Sequence, residues 1–171
     1  YQAHDYYAQF CFTEGDMERA ATHYRRASEI QLDDFSSPIY LVNIFRSLGR
    51  PEEAAKYARL GLERAEKALR LHPEDSKPAQ LGAAALAYLG ERDRAMDWLA
   101  QAKAIDPDDN IAEYNAACVY ALLGELDRAI DLLESWLPKV GDDWKLWFKN
   151  DSDLDPIRRH PRYPNLQTLV S

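Results

Sequence analysis

Long apolar runs are missing from this 171-residue chain, and without a stretch of about eighteen such residues the sequence offers no membrane span. The first turns carry Asp5, Glu14, Asp16, Glu18 and Arg19 and no apolar segment, so no signal peptide is visible there either. Beginning at Tyr1, the chain reads as an excised piece of a longer protein, and a cytoplasmic location is expected. Cysteine is scarce: Cys11 and Cys118 each sit in an apolar helical pattern, not in a C-x-x-C pair, and read as buried structural thiols. Cations are outnumbered, 21 Lys and Arg against 29 Asp and Glu, for a net charge of −8 and a pI near 5.0. That balance leaves no basic stripe to neutralise phosphates, which excludes direct nucleic-acid binding.

Chemistry is equally sparse. The seven glycines are scattered and form no phosphate-cradling loop. His4, His23, His72 and His160 fall in different elements, with no i, i+4 pair and no neighbouring cysteine, so no zinc site is expected. Asp151, Asp153 and Asp155 alternate as a calcium loop begins, but Pro156 and Arg162 stand where that loop needs glycine and glutamate; helix capping explains the aspartates instead. The acidic doublets Glu52-Glu53 and Asp142-Asp143 lie near helix starts, where negative charge complements the helix dipole. No catalytic residue, metal or cofactor is therefore expected, and the chain is read as no enzyme.

What the sequence does have is a repeat. Gly15, Gly49, Gly90 and Gly124 are separated by 34, 41 and 34 residues, and an alanine follows five residues after each, at Ala20, Ala54, Ala95 and Ala129. Apolar and small residues at helical spacing flank every one of these glycines. Ala3, Tyr6, Tyr7, Phe10 and Cys11 make one stripe; Ala20, Tyr24, Ala27 and Ile30 make the next. Each glycine suits the left-handed end of a helix, and Asp16 can cap the helix that follows Gly15. The predicted unit is a helix, a tight turn and a second helix.

The copies are not uniform. Leu32 leaves the first break to Asp33, Asp34, Ser36, Ser37 and Pro38, where serine followed by proline predicts a helix start at Pro38. The 41-residue spacing adds two helical turns to the helix opening at Pro51, which is expected to project roughly 10 Å past its neighbours near Arg64 to Arg70. Trp136 stands where Ala27, Gly61 and Ala102 stand in the earlier copies, so the regular array is expected to end there. Trp144, Leu146, Trp147 and Phe148, followed by SDLDPIRRHPRYPNLQTLV, supply aromatics suited to cover its last helix, in three short helical pieces with Asp155-Pro156 and His160-Pro161 as starts.

A 34-residue period with a turn glycine and a small residue at fixed offset resembles the tetratricopeptide repeat, or TPR, family. Its first-helix consensus is replaced by His4, Tyr7-Ala8 and Cys11, by Pro38, Leu41-Val42 and Phe45, by Ala79, Gly82-Ala83 and Leu86, and by Glu113, Ala116-Ala117 and Tyr120. Pro107 keeps the family's closing proline. The resemblance implies an all-α, right-handed α-α solenoid of four helix pairs, at about 1–34, 35–75, 76–109 and 110–143, with a C-terminal cap at 144–171. The tail WFKNDSDLDPIRRHPRYPNL is similar to endings that follow such arrays in bacterial adenylate cyclases, kinases and transcriptional regulators.

The family groove is lined by the first helix of each pair. Its positions correspond here to Gln2, Asp5, Gln9 and Phe12, then Ser36, Ile39, Asn43 and Arg46, then Lys77, Gln80, Ala84 and Tyr88, and last Ile111, Tyr114, Cys118 and Leu122. From these, Asn43, Arg46, Lys77, Gln80, Tyr88 and Tyr114 are expected to contact a peptide or protein partner. The chaperone-tail clamp of one subgroup is rejected, because Asp5 and Leu81 stand where it needs cations. The resemblance thus implies a non-catalytic protein-interaction scaffold, with three alternatives: a regulatory module of a larger bacterial signalling protein, a homodimerisation module, or a small-molecule pocket around Tyr88, Tyr114 and Leu122.

Overall fold

The computed structural model describes residues 1–170, which are helical over most of their length, with no strand among them. Eight helices come first: α1 (Gln2–Thr13), α2 (Met17–Ile30), α3 (Ser36–Ser47), α4 (Pro51–Leu71), α5 (Lys77–Tyr88), α6 (Arg92–Ile105), α7 (Asn110–Leu122) and α8 (Leu126–Trp136). A 3₁₀ turn over Leu137–Lys139, helix α9 (Asp142–Asn150), a 3₁₀ segment over Ser152–Arg159 and helix α10 (Tyr163–Leu169) complete the chain. The result is an all-α solenoid.

The glycine turns form as the spacing predicts. Gly15, Gly49, Gly90 and Gly124 have φ of 79°, 67°, 82° and 79°, a conformation that an L side chain resists. Beside each turn the helices of a pair close on the repeated alanine: Ala20, Ala54, Ala95 and Ala129 are all fully buried. Two glycines inside helices serve close approach instead. A Cβ at Gly61 of α4 would meet Ile39 Cγ1 at 2.5 Å, and one at Gly82 of α5 would meet the Trp98 ring at 2.2 Å. Within the array α1, α3, α5 and α7 make an inner layer and α2, α4, α6 and α8 an outer one, since α5 packs on both α3 and α7 while each even helix packs on its odd partner.

Two local starts differ from their sequence reading. Helix α3 begins at Ser36 and not at Pro38, because the Asp34 carboxylate accepts the Ser36 and Ser37 amides at 2.9 and 3.2 Å and so caps two residues earlier. Asp155-Pro156 and His160-Pro161 open no helix: the former lies inside the 3₁₀ segment, which Asp151 caps by accepting the Asp153 amide. Helix α4 has 21 residues against 14 in α2 and α6. The extra turns begin after Arg64, its fourteenth residue, which donates to Ser28 Oγ at 2.8 Å and to the Asp34 carbonyl at 2.9 Å.

Three apolar clusters fill the interlayer space. One joins α1 through α4 with α5, one centres on α5 and α6, and the third joins α7 and α8 to the C-terminal segment through Trp136, Leu137, Phe148, Leu154, Ile157 and Leu166. Trp136 is fully buried and its ring lies 4.7 Å from Tyr114 and 5.6 Å from Trp144.

Candidate functional site

The C-terminal segment does more than cover α8. Helix α10 packs on α8, but the 3₁₀ segment lies against both α7 and α3, and α9 lies against α1. The chain therefore leaves the last pair, crosses the inner face and reaches the first helix. There the Asn150 amide donates to the Phe12 and Thr13 carbonyls at 3.0 and 2.9 Å, in the last turn of α1 where helical acceptors run short of donors. Trp147 stacks against Phe12, ring centres 4.1 Å apart, and meets Tyr40 edge-on at 5.5 Å.

Three tail residues enter the inner face between α3 and α7. Asp151 accepts hydrogen bonds from the Asn43 amide and the Tyr114 hydroxyl, and Cys118 Sγ lies 3.7 Å from the same carboxylate. Ser152 donates its hydroxyl to the Asn43 carbonyl at 2.8 Å. Asp153 pairs with Arg46, whose guanidinium lies 5.5 Å from the centre of the Tyr88 ring. Asp151 and Asn43 are 3% and 8% exposed, so this is a polar network enclosed by protein, and an enclosed carboxylate is tolerable only with donors around it.

The network perturbs its own titration. Burial and the neighbouring Asp151 push the Asp153 carboxyl up to about 7, against the opposing pull of Arg46. Burial raises the Tyr114 hydroxyl and the Cys118 thiol well above their ordinary ranges, with Asp151 adding to both. A thiol so placed stays protonated and unreactive. Cys118, Asp151 and Asp153 bring possible metal ligands within 4.8 Å of one another. However, the Arg46 guanidinium, the Asn43 amide and the Tyr114 hydroxyl already meet the two carboxylates, and the raised pKa values oppose the deprotonation that metal binding needs. The group reads as a tail anchor.

Of the six residues expected to contact a partner, three therefore hold the chain's own tail: Asn43, Arg46 and Tyr114. Tyr88 lies beside Arg46 and donates to the Pro51 carbonyl at 3.3 Å. Gln80 bridges α5 and α7, donating to Asp109 at 2.7 Å and accepting from Asn115 at 3.0 Å. Lys77 is exposed. Of the three residues expected around a small-molecule pocket, Tyr114 lines the cavity of the inner face, and Tyr88 and Leu122 are not among its walls.

A different cavity remains on the inner face. It has a volume of about 660 Å³ and lies between α1, α3, α5, α7 and α9, with walls including Tyr6, Phe10, Tyr40, Trp144 and Trp147 and with Lys77, Gln80 and Tyr114 on its border. Helix α1 contributes Tyr6, Gln9, Phe10 and Thr13; of the Gln2, Asp5, Gln9 and Phe12 expected from the repeat register, Gln9 lines the cavity and the other three do not. The reason is Phe12, fully buried beneath Trp147. Its burial turns Tyr6 and Phe10 outward to 71% and 56% exposure. Both rings stood in the first apolar stripe of the sequence, where nothing distinguished cavity wall from core.

Comparison with solved structures matches the architecture. The thermophilic TPR protein TTC0263 of Thermus thermophilus aligns over 98% of this chain and 95% of its own, at a TM-score of 0.57 and 19% identity. The fold is that of a TPR protein. MamA (TM-score 0.44, 18% identity, 96% of this chain and 88% of that one) and YrrB, described as a TPR protein with an unusual peptide-binding site (0.38, 17%, 96% and 90%), are more distant in shape. No family model matches the chain, and no curated protein matches it in sequence. In this TPR fold the C-terminal segment lies along the inner layer, where Asp151 and Asp153 meet Asn43, Arg46 and Tyr114.

Proposed function

We propose that the chain is a non-catalytic interaction scaffold that holds a segment of a partner protein in the inner-face cavity bordered by α1, α5, α7 and α9. The observation that carries this reading is the cavity itself: about 660 Å³, walled by Tyr6, Phe10, Tyr40, Trp144 and Trp147 and open enough to leave Tyr6 and Phe10 largely exposed. Its volume is in the range of ligand sites, and aromatic side chains are enriched among the residues that anchor a partner in a pocket. Lys77, Gln80 and Tyr114 border it, whereas Asn43 and Arg46 hold Asp151 and Asp153, in the segment that follows α9.

The test is site-specific photocrosslinking. A benzophenone amino acid at Tyr6 is expected to capture a defined partner segment that the same group at Leu71, exposed at the end of α4, does not capture. Equal capture at both positions, or none at Tyr6, overturns the reading. A second role has one observation in its favour: the inner face already accepts a segment of its own chain, as a regulatory module of a larger protein would do in cis. Capture at Tyr6 of an upstream domain of the same polypeptide would select that role.

A further inference from the structure

The chemistry of the cavity walls narrows the partner. Six aromatic side chains, Tyr6, Phe10, Tyr40, Tyr114, Trp144 and Trp147, line it, beside the aliphatic Leu81 and Ile111. Trp144 and Trp147 lie 6.3 Å apart and inclined at 57°, with Tyr114 5.7 Å beyond Trp144 and Tyr40 5.5 Å beyond Trp147. The result is a continuous row of rings and not an aliphatic slot.

The charges around those rings are unbalanced. Asp109 and Asp143 line the cavity, and Asp5 reaches its edge through a 3.0 Å hydrogen bond from Gln9, which also lines it. Against them stands one cation, Lys77, which already offsets Asp5: its charge opposes the rise that burial imposes on the Asp5 carboxyl. Asp109 is engaged by Gln80 and by the Ile111 amide in the first turn of α7, while Asp143, exposed in the first turn of α9, meets no partner among the described residues. An anionic segment would face this surplus of carboxylates. A cation would meet both the negative faces of the rings and an unbalanced carboxylate. The chain uses the same contact within itself, placing Arg128 4.1 Å from the centre of the Tyr120 ring and Arg25 4.8 Å from that of Phe45.

We propose that the cavity recognises a basic peptide segment, an arginine or lysine side chain laid on the Trp144–Trp147 rings with its charge toward Asp143 and its apolar neighbours on Tyr6 and Phe10. This rests on the reading that the cavity holds a partner segment, and it names that segment's chemistry. Arginine fits better than lysine, because a planar guanidinium can lie on a ring and reach a carboxylate together.

The experiment is selection of random heptapeptides on the immobilised protein, in parallel with Phe10→Ala and Asp143→Asn, both changes at exposed positions whose retained fold is checked by circular dichroism. A selected peptide, fluorescein-labelled, is then titrated against the protein with its arginine replaced by citrulline. The proposal expects selected peptides to carry arginine or lysine beside apolar residues and to depend on Phe10. It also expects about a tenfold loss of affinity with citrulline, a smaller loss with Asp143→Asn, and weakening by salt. Peptides that depend on Phe10 but carry no cation, or that bind equally well with citrulline, overturn the basic-segment proposal and leave the interaction cavity standing. Selection that gives the same peptides on Phe10→Ala as on the parent protein, or gives none, overturns both.

Discussion

The inner face of the superhelix has two stretches built from the same helices and put to opposite use. Between α3 and α7 the face is filled: Asn43, Arg46, Tyr114 and Cys118 surround Asp151, Ser152 and Asp153. Toward α1 and the start of α5 it is open, with rings where the filled stretch has amides and charges. Polar side chains on a concave surface demand partners once they are covered, and here the chain itself supplies them. Aromatic rings demand less and can stay exposed at modest cost until a partner arrives. A polar lining predicted for ligand contact is therefore as easily the seat of an intramolecular segment.

The largest expected effect comes from removing the support beneath the filled stretch. Trp136→Ala should destabilise the protein by about 3–5 kcal/mol in denaturant unfolding, as for other large core truncations, because the ring carries Tyr114 and Trp144 and with them both stretches. A loss below about 1 kcal/mol would mean that the tail does not depend on it. Next comes Arg46→Met, expected to cost about 1.5–3 kcal/mol; this is less than for a fully buried ion pair, since Asp153 can protonate when its cation is gone. Adding Asp153→Leu to Arg46→Met should recover most of that loss. Failure to recover it would place the energy of Arg46 in its contact with Tyr88.

A pH dependence should distinguish the stretches as well. The Asp153 carboxyl rises from an ordinary value of 3.8 to about 7 on folding, so the native state holds a proton that the unfolded chain releases. The sign follows: this group's contribution to stability is greatest near pH 4 and falls as pH rises toward 7. Asp153→Asn should flatten the profile of unfolding free energy between those values, and an unchanged slope would remove this assignment. The smallest effect on stability is expected from the open stretch, where Phe10→Ala should change unfolding free energy by about 0.5 kcal/mol or less while abolishing peptide capture. A larger loss would show that Phe10 belongs to the core.

Much of the fold is legible in local chemistry. A left-handed glycine and a buried alanine five residues later recur because two helices can turn and touch only there, and Trp136, where the earlier copies have a small residue, is the place at which the aromatic tail packs. The site is legible only in part. Asn43, Arg46 and Tyr114 are correctly placed on the inner face by repeat register, but their partners lie more than 30 residues away in every case, and up to 109 away for Asn43 with Ser152. Alternating aspartates carry no sign of burial, since capping and solvation account for them equally well.

The sequence by itself determines the helix pairs, their turns, the acidic balance of the chain and the aromatic richness of its tail, because these rest on contacts between near neighbours or on composition. Tertiary structure alone decides that Asp151 and Asp153 turn inward, that Phe12 is buried while Phe10 faces the cavity, and that half of the predicted contact residues hold the tail. Those outcomes depend on how far the array curves, which sets whether a segment leaving α8 can reach α1. Curvature accumulates from small rotations at each interface between repeats, and no single residue encodes it.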